Sequence, residues 1–259
     1  MGIPWPKRRF GPSGTAGSAH EDCSPRWVGP EQAALCHKLS NQVDITGVVV
    51  SRNVPKRPPR RRARLRVNRI LGRVVGRPFL EAWWQLQREY ARLYPDLPPV
   101  PRIRVENVND PETLNFLRDR KPDAVLVSGT NLVGRAIVDW AFSRRGILNL
   151  HTGLSPYVKG GPNCTNWCFA EATFHLIGST VMWLDTGIDS GPILTTARPK
   201  LSGSESLSEV HWNVMEHAHC LCVQAVSTSH RADTSLACHK TTSPRDALTT
   251  LLSGTLAPC

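Results

Sequence analysis

Asn149 and His151 stand two residues apart in the short apolar run Gly146-Ile-Leu-Asn-Leu-His151. Successive side chains of a strand alternate between its faces, so an amide and an imidazole here point the same way. A polar pair closing an apolar strand is costly to bury without partners, which predicts a cleft at the strand's end. Further on, Asp185-Thr-Gly-Ile-Asp189-Ser-Gly-Pro192 places two carboxylates in a glycine-bounded loop. Either could reach back to the imidazole. Amide and imidazole N–H groups are donors for an oxygen that gains negative charge, and a carboxylate can take a proton from an attacking nucleophile. These residue types therefore suit addition of a nucleophile to a carbonyl.

Three elements in order carry a family resemblance: Asn149-Leu-His151, then Leu154-Ser-Pro156-Tyr-Val-Lys-Gly160-Gly161, then Gly187-Ile-Asp189-Ser-Gly191-Pro192. The stretch from about Asp110 to about Val226 resembles the folate-dependent formyltransferases, which include methionyl-tRNA, glycinamide-ribonucleotide and sugar-nucleotide formyltransferases. The resemblance implies that Asn149, His151 and Asp189 are catalytic and that 10-formyltetrahydrofolate is the formyl donor. It favours Asp189 over Asp185 as the carboxylate beside the imidazole. It places the donor's pteridine at the turn Ser128, Gly129, Thr130, Asn131 and Leu132, with Asp185 nearby, and an acceptor amine near Ser155, Lys159 and Gly160. A bare βα turn and a solvated lysine are the plainer readings of those positions. No metal is needed. Cys164 and Cys168 share a helix face, but with His217, His219, Cys220 and Cys222 they lack the spacing of a zinc site.

Positioning these residues requires strands whose carboxyl ends meet. The order strand (103–108), helix from Asp110, strand (123–128), helix (132–142), strand (146–151) is the parallel α/β pattern, and ligands bind at the carboxyl ends of such strands. Asp110 is an expected N-cap with Pro111 at the first helical position. The expected fold is α/β, a Rossmann-like three-layer arrangement with a mostly parallel sheet. A helix over 29–39 and a strand over 43–50 precede this, and residues 1–28 supply no clear first strand. After Asp189 a strand over 192–197 and a helix from Ser204 to Val226 follow. A helix over 66–94, kinked or broken by Pro78, fills the interval before the proline-rich 95–101.

Residues 1–28 read as disordered, 29–226 as the catalytic domain with a basic insertion at 51–78, and 227–259 as a disordered tail. The chain of 259 residues carries a net charge of +11. Segment 51–78 holds eleven Lys and Arg and no acidic residue. Arg57, Arg60, Arg61, Arg62 and Arg64 could meet an anionic partner such as RNA or a phosphorylated substrate, while a solvated linker is the plainer reading. No aromatic residue is interleaved there to stack on bases. The cysteines form no Cys-x-x-Cys pair, no apolar run approaches a membrane span, and the start is no signal peptide, so a cytoplasmic location is expected.

The resemblance implies a C-terminal oligonucleotide-binding barrel for a tRNA enzyme and a glycine-rich phosphate loop for a glycinamide-ribonucleotide enzyme. Neither pattern reads here. A small or nucleotide-linked amine is the expected acceptor, with those two substrates as alternatives. A non-catalytic, basic, nucleic-acid-binding relic of the fold is the alternative from a different class, and a misfolded product of a rearranged gene is a third.

Overall fold

The computed structural model describes residues 28–52, 77–159, 164–185 and 191–236. Arg57, Arg60, Arg61, Arg62, Arg64, Gly160 and Asp189 lie outside them, as do residues 1–27 and 237–259.

Helix α1 (Pro30–Ser40) starts on Pro30, whose missing N–H is no loss at that position, and the Gln32 side chain accepts the Gly29 N–H at 2.7 Å. Strand β1 (Val48–Ser51) follows. It is shorter than its β-branched run predicts, because Val43 and Ile45 pack under α1 instead of entering the ladder. Helix α2 (Arg77–Leu93) is described from Arg77, with Pro78 as its second described residue. The upstream part of the predicted helix, 66–76, lies outside the described residues.

Strand β2 (Arg102–Val105), helix α3 (Pro111–Arg120), strand β3 (Val125–Val127), helix α4 (Arg135–Phe142) and strand β4 (Ile147–His151) come next. Asp110 precedes α3 as expected, but its carboxylate accepts the Asn107 N–H, at 2.9 Å, and no side-chain cap bond forms. Helix α5 (Cys164–Ala170) and a 3-10 turn, Phe174–Leu176, lead to β5 (Ser179–Trp183) and β6 (Ile193–Ala197). The turn holds His175 outside β5.

The last helix, α6 (Leu207–Leu236), continues ten residues past Val226 into the Ser/Thr-rich segment read as tail. Its start is Ser206, not Ser204. The Ser206 and Glu209 side chains each bond the other's backbone N–H, at 3.3 Å and 2.8 Å, a capping box that satisfies two orphan donors.

β1 pairs with β2 and β3 with β4, both parallel; β5 is antiparallel to β4, and β6 to β5. Among the described residues β5 is therefore the one strand reversed against its neighbours, and the strands are mostly parallel. There the sheet falls into two pieces, β1-β2 and β3-β4-β5-β6. Alternate side chains settle the layers. Leu148, Leu150 and Val181 face α1 and α6, packing on Leu35, Leu39, Ala218 and Leu221. Ile147, Val125 and Val127 face the other way, onto α3 and α4 through Leu117, Ile137 and Val138. The expected α/β three-layer architecture is present, and burying a leucine, isoleucine or valine such as Leu148, Ile147 or Val181 contributes about 1.5–3 kcal/mol.

The outer face of α1 meets α2 and α6 through a buried polar cluster. Lys38 pairs with Glu216, Tyr90 donates to the same carboxylate at 2.7 Å, and Trp212 stacks on Tyr90 at 4.8 Å. Lys38 also lies 3.2 Å from His219 Nδ1. An ammonium only donates, so this imidazole nitrogen accepts and the ring is neutral. Burial, then the Lys38 charge, hold His219 well below the usual histidine range. Burial alone pushes His211 down to about 4.

Candidate active site

Strand parity puts Ile147, Asn149 and His151 on one face of β4, the face turned toward α3 and α4. The three differ in surroundings. Ile147 lies in an apolar cluster with Val127, Val133 and Leu184. Asn149 is half-buried between β3 and β5, level with Val127 and Met182. His151 is 8% exposed at the carboxyl end.

The loop after β4 folds back over the imidazole. His151 Nε2 lies 2.8 Å from the Val158 carbonyl. A carbonyl only accepts, so Nε2 carries a proton and donates it there. Cys164 Sγ, at the start of α5, lies 3.8 Å from the same nitrogen. Gly153 closes the other side: a Cβ there would stand 2.6 Å from Nε2 and 3.1 Å from Cys164 Sγ. Only glycine lets the backbone approach this closely.

Thr180 holds the loop in place. It is fully buried on β5, directly opposite His151. Its hydroxyl donates to the Gly153 carbonyl at 2.8 Å and accepts the Ser155 N–H at 3.1 Å. Ser155 is buried and its own hydroxyl has no partner among the described residues. Lys159 and Tyr157 are exposed beyond it.

The turn after β3 lies at the same edge. Gly129 adopts φ +65°, and a Cβ there would stand 2.8 Å from the Gln32 amide nitrogen of α1. Thr130 buries a hydroxyl with no partner among the described residues, and Leu132 is 65% exposed. The Asn109 side chain ties this turn to the end of β2, donating to Leu132 O at 2.9 Å and accepting the Gly134 N–H at 2.5 Å.

Asp185 follows Leu184, whose N–H donates to Ile147 O at 2.7 Å. The register thus places Asp185 level with the start of β4, about 13–16 Å along the strand from His151 at roughly 3.3 Å per residue. It is Asn149 that stands between the two ends. Leu184 and Val133, the neighbours of Asp185 and Leu132, meet in one cluster, so the donor-side candidates border a common apolar patch. The β5–β6 connection is tight: a side chain at Gly191 would collide with the Trp183 carbonyl, and Trp183 N donates to Pro192 O at 2.9 Å.

Sequence reasoning missed Thr180, the Val158 carbonyl and the thiol contact of Cys164. Thr180 did leave a signal. A polar Ser179-Thr180 pair opening the buried strand β5, Ser179–Trp183, needs partners as much as Asn149 and His151 do. The carbonyl leaves none, because any residue supplies one. No group of three or more His, Cys, Asp or Glu side chains is gathered to hold a metal among the described residues, and no described helix is long and apolar enough to cross a membrane.

The formyl transferase family model matches residues 32–226. The chain is similar to the methionyl-tRNA formyltransferase of Clostridium perfringens, 26% identical over 132 residues, 51% of this chain and 41% of that protein. It is 34% identical over 99 residues to the methionyl-tRNA formyltransferase of Chloroflexus aggregans, 38% of this chain and 31% of that one. Its structure resembles the phosphoribosylglycinamide formyltransferase of Bacillus halodurans with a TM-score of 0.51 and 17% identity, covering 77% of this chain and 89% of that chain. The fold is that of an α/β protein, and the family model over three quarters of its length shows that the chain belongs to the formyl transferase family. It matches about two fifths of the Clostridium relative's length.

Proposed function

We propose that this chain transfers a formyl group from 10-formyltetrahydrofolate to the primary amine of a small or nucleotide-linked acceptor. One observation carries the reading: a single face of β4 runs from apolar Ile147 through the amide of Asn149 to the buried imidazole of His151. Such a face offers a greasy seat for a flat heterocycle at one end and a proton-handling group at the other.

The residues present fit the donor. Val127, Val133, Ile147 and Leu184 form an apolar floor. The turn Ser128–Leu132 adds a buried, unpartnered Thr130 hydroxyl and an exposed leucine. Backbone and hydroxyl groups there, with Asp185 at the far border, would hold the ring's polar edges. Bound donor would supply the formyl group as an electrophilic carbonyl.

Asn149 then donates its amide N–H to the carbonyl oxygen as charge develops on it. His151 donates from Nε2, exchanging the Val158 carbonyl for the charged oxygen, a stronger acceptor. Asp189 takes the proton of the attacking amine, directly or through water. On the acceptor side Ser155, Lys159 and Gly160 would contact the amine, and Arg57, Arg60, Arg61, Arg62 and Arg64 would attract an anionic acceptor.

A screen of amines, sugar nucleotides, glycinamide ribonucleotide and methionyl-tRNA with 10-formyltetrahydrofolate, following release of tetrahydrofolate, tests this. One amine should support turnover that His151→Ala and Asn149→Ala each reduce by a factor of about 100–1000. Turnover indifferent to both changes, or none with any acceptor, overturns the reading. The similarity to methionyl-tRNA formyltransferases keeps the aminoacyl ester within the screen.

A further inference from the structure

At the end of the sheet opposite His151, cations outnumber their counter-charges. The loops that enter β3 and β4 meet there. Arg145 N donates to the Asp123 carbonyl at 3.1 Å, and Arg144 Nη1 donates to the carbonyls of Lys121 and Pro122, at 3.3 Å and 3.2 Å. Residues 118–123 and 144–145 hold five Lys and Arg against Asp119 and Asp123. Other exposed arginines are answered by a carboxylate of their own helix, Arg77 by Glu81, Arg92 by Glu89 and Arg135 by Asp139. Arg118, Arg120, Lys121 and Arg144 are exposed and make no ion pair among the described residues. Two of these guanidinium groups lie over aromatic rings instead. Arg120 Cζ stands 5.3 Å from the centre of the Phe116 ring, and Arg144 Cζ stands 5.2 Å from that of Trp140. The rings are themselves held: Phe116 lies against Gly47, and Trp140 packs on the cluster of Ile137, Val138 and Ala141. A ring on one side of an exposed guanidinium leaves the other side for a second flat group.

We infer that this edge binds single-stranded nucleic acid. Its phosphates pair with Arg118 and Lys121, and unpaired bases stack on Arg120 and Arg144, as bases do on guanidinium planes and aromatic rings. A carboxylate-rich protein or an anionic membrane would use the charge of this edge and leave the flat guanidinium faces idle. The two stacking groups are close in the fold, because Arg120 precedes Lys121, whose carbonyl accepts from Arg144. From Ile147 to His151 β4 runs about 13 Å at roughly 3.3 Å per residue, so a strand held here leaves the imidazole end open. The surface is separate from the arginines of 57–64, and the inference does not depend on which amine is formylated.

The test measures fluorescence anisotropy of labelled oligo(A), oligo(dA) and an abasic strand of equal length, each about twelve nucleotides, with the full chain. At least one base-bearing strand should bind, and the tighter of the two distinguishes RNA from DNA as the source. Arg144→Lys keeps the charge without the plane. It should weaken the base-bearing strand by a factor of about 5 or more and leave the abasic strand unchanged. Changing Arg120, Lys121 and Arg144 together to Gln should lower the slope of log K against log salt by about 2, at about 0.7 per phosphate. Ultraviolet cross-links should fall on 118–121 and 140–145, a readout that needs no variant. The inference is overturned if neither base-bearing strand binds, whether or not phosphatidylserine vesicles do. It is also overturned if Arg144→Lys affects all strands alike, if the triple variant keeps its slope at an unchanged Tm, or if cross-links are confined to 51–78.

Discussion

Two regions bury polar side chains, and they are built on opposite plans. Between α1, α2 and α6, Lys38, Glu216, Tyr90 and His219 satisfy one another side chain to side chain. At the end of β4, His151 and Thr180 bond to loop backbone, to the carbonyls of Val158 and Gly153 and the N–H of Ser155. The first plan pairs these four side chains with one another inside a packed helix layer. The second shapes a loop around one imidazole at the open edge of a sheet. Buried polarity and displaced titration therefore do not mark a site by themselves. The two histidines held furthest down, His219 and His211, lie in the helix layer.

Breaking each region in turn should separate activity from stability. The largest effect is expected at β4: His151→Ala or Asn149→Ala should lower kcat/KM by about 2.7–4 kcal/mol in transition-state terms, with little change in Tm. Equal losses of Tm and activity would instead assign them to the frame. Glu216→Ala should do the reverse. It takes the carboxylate away from a mostly buried ammonium and from the Tyr90 hydroxyl, costing about 3 kcal/mol of unfolding free energy, while turnover per folded molecule is retained. Denaturant melts paired with the tetrahydrofolate-release assay read both.

Acidification probes the helix layer alone. His211 and His219 have folded-state pKa values below those of the unfolded chain, so the unfolded state binds more protons as pH falls through 6.5. Stability present above about pH 6.5 is then lost toward pH 4, at about 1.4 kcal/mol per pH unit for each histidine in that window. Melts at pH 7 and 5 should show it, and His211→Gln should flatten the slope. Thr180→Val comes next, removing a donor and an acceptor in the buried loop brace for about 2 kcal/mol. Unlike Glu216→Ala it should also reduce turnover, because the loop holding Val158 relaxes. Ser206→Ala, which opens the capping box of α6, should cost about 1 kcal/mol and leave activity alone.

The same contrast explains what the sequence could convey. β4 was readable because Asn149 and His151 break an apolar run at strand spacing, and α1 and α3 because proline marks their first turns. The end of α6 was misjudged because serine and threonine lower helix propensity only slightly, so composition outweighed a helix already nucleated upstream. The reciprocal pair Ser206 and Glu209 starts α6 two residues past the expected Ser204. Of the site, the side chains on β4 were legible, and the brace was not. It depends on the antiparallel register that sets Thr180 opposite His151, a pairing between distant stretches of chain.

The close approach at Gly153 makes that position a steric lock. A single methyl group there would push against the imidazole edge and against Cys164 together, neither of which has room to retreat in so tight a corner. Gly153→Ala would wedge the ring out of line while leaving every reactive group chemically intact, an inert twin of the protein for trapping bound donor and acceptor side by side.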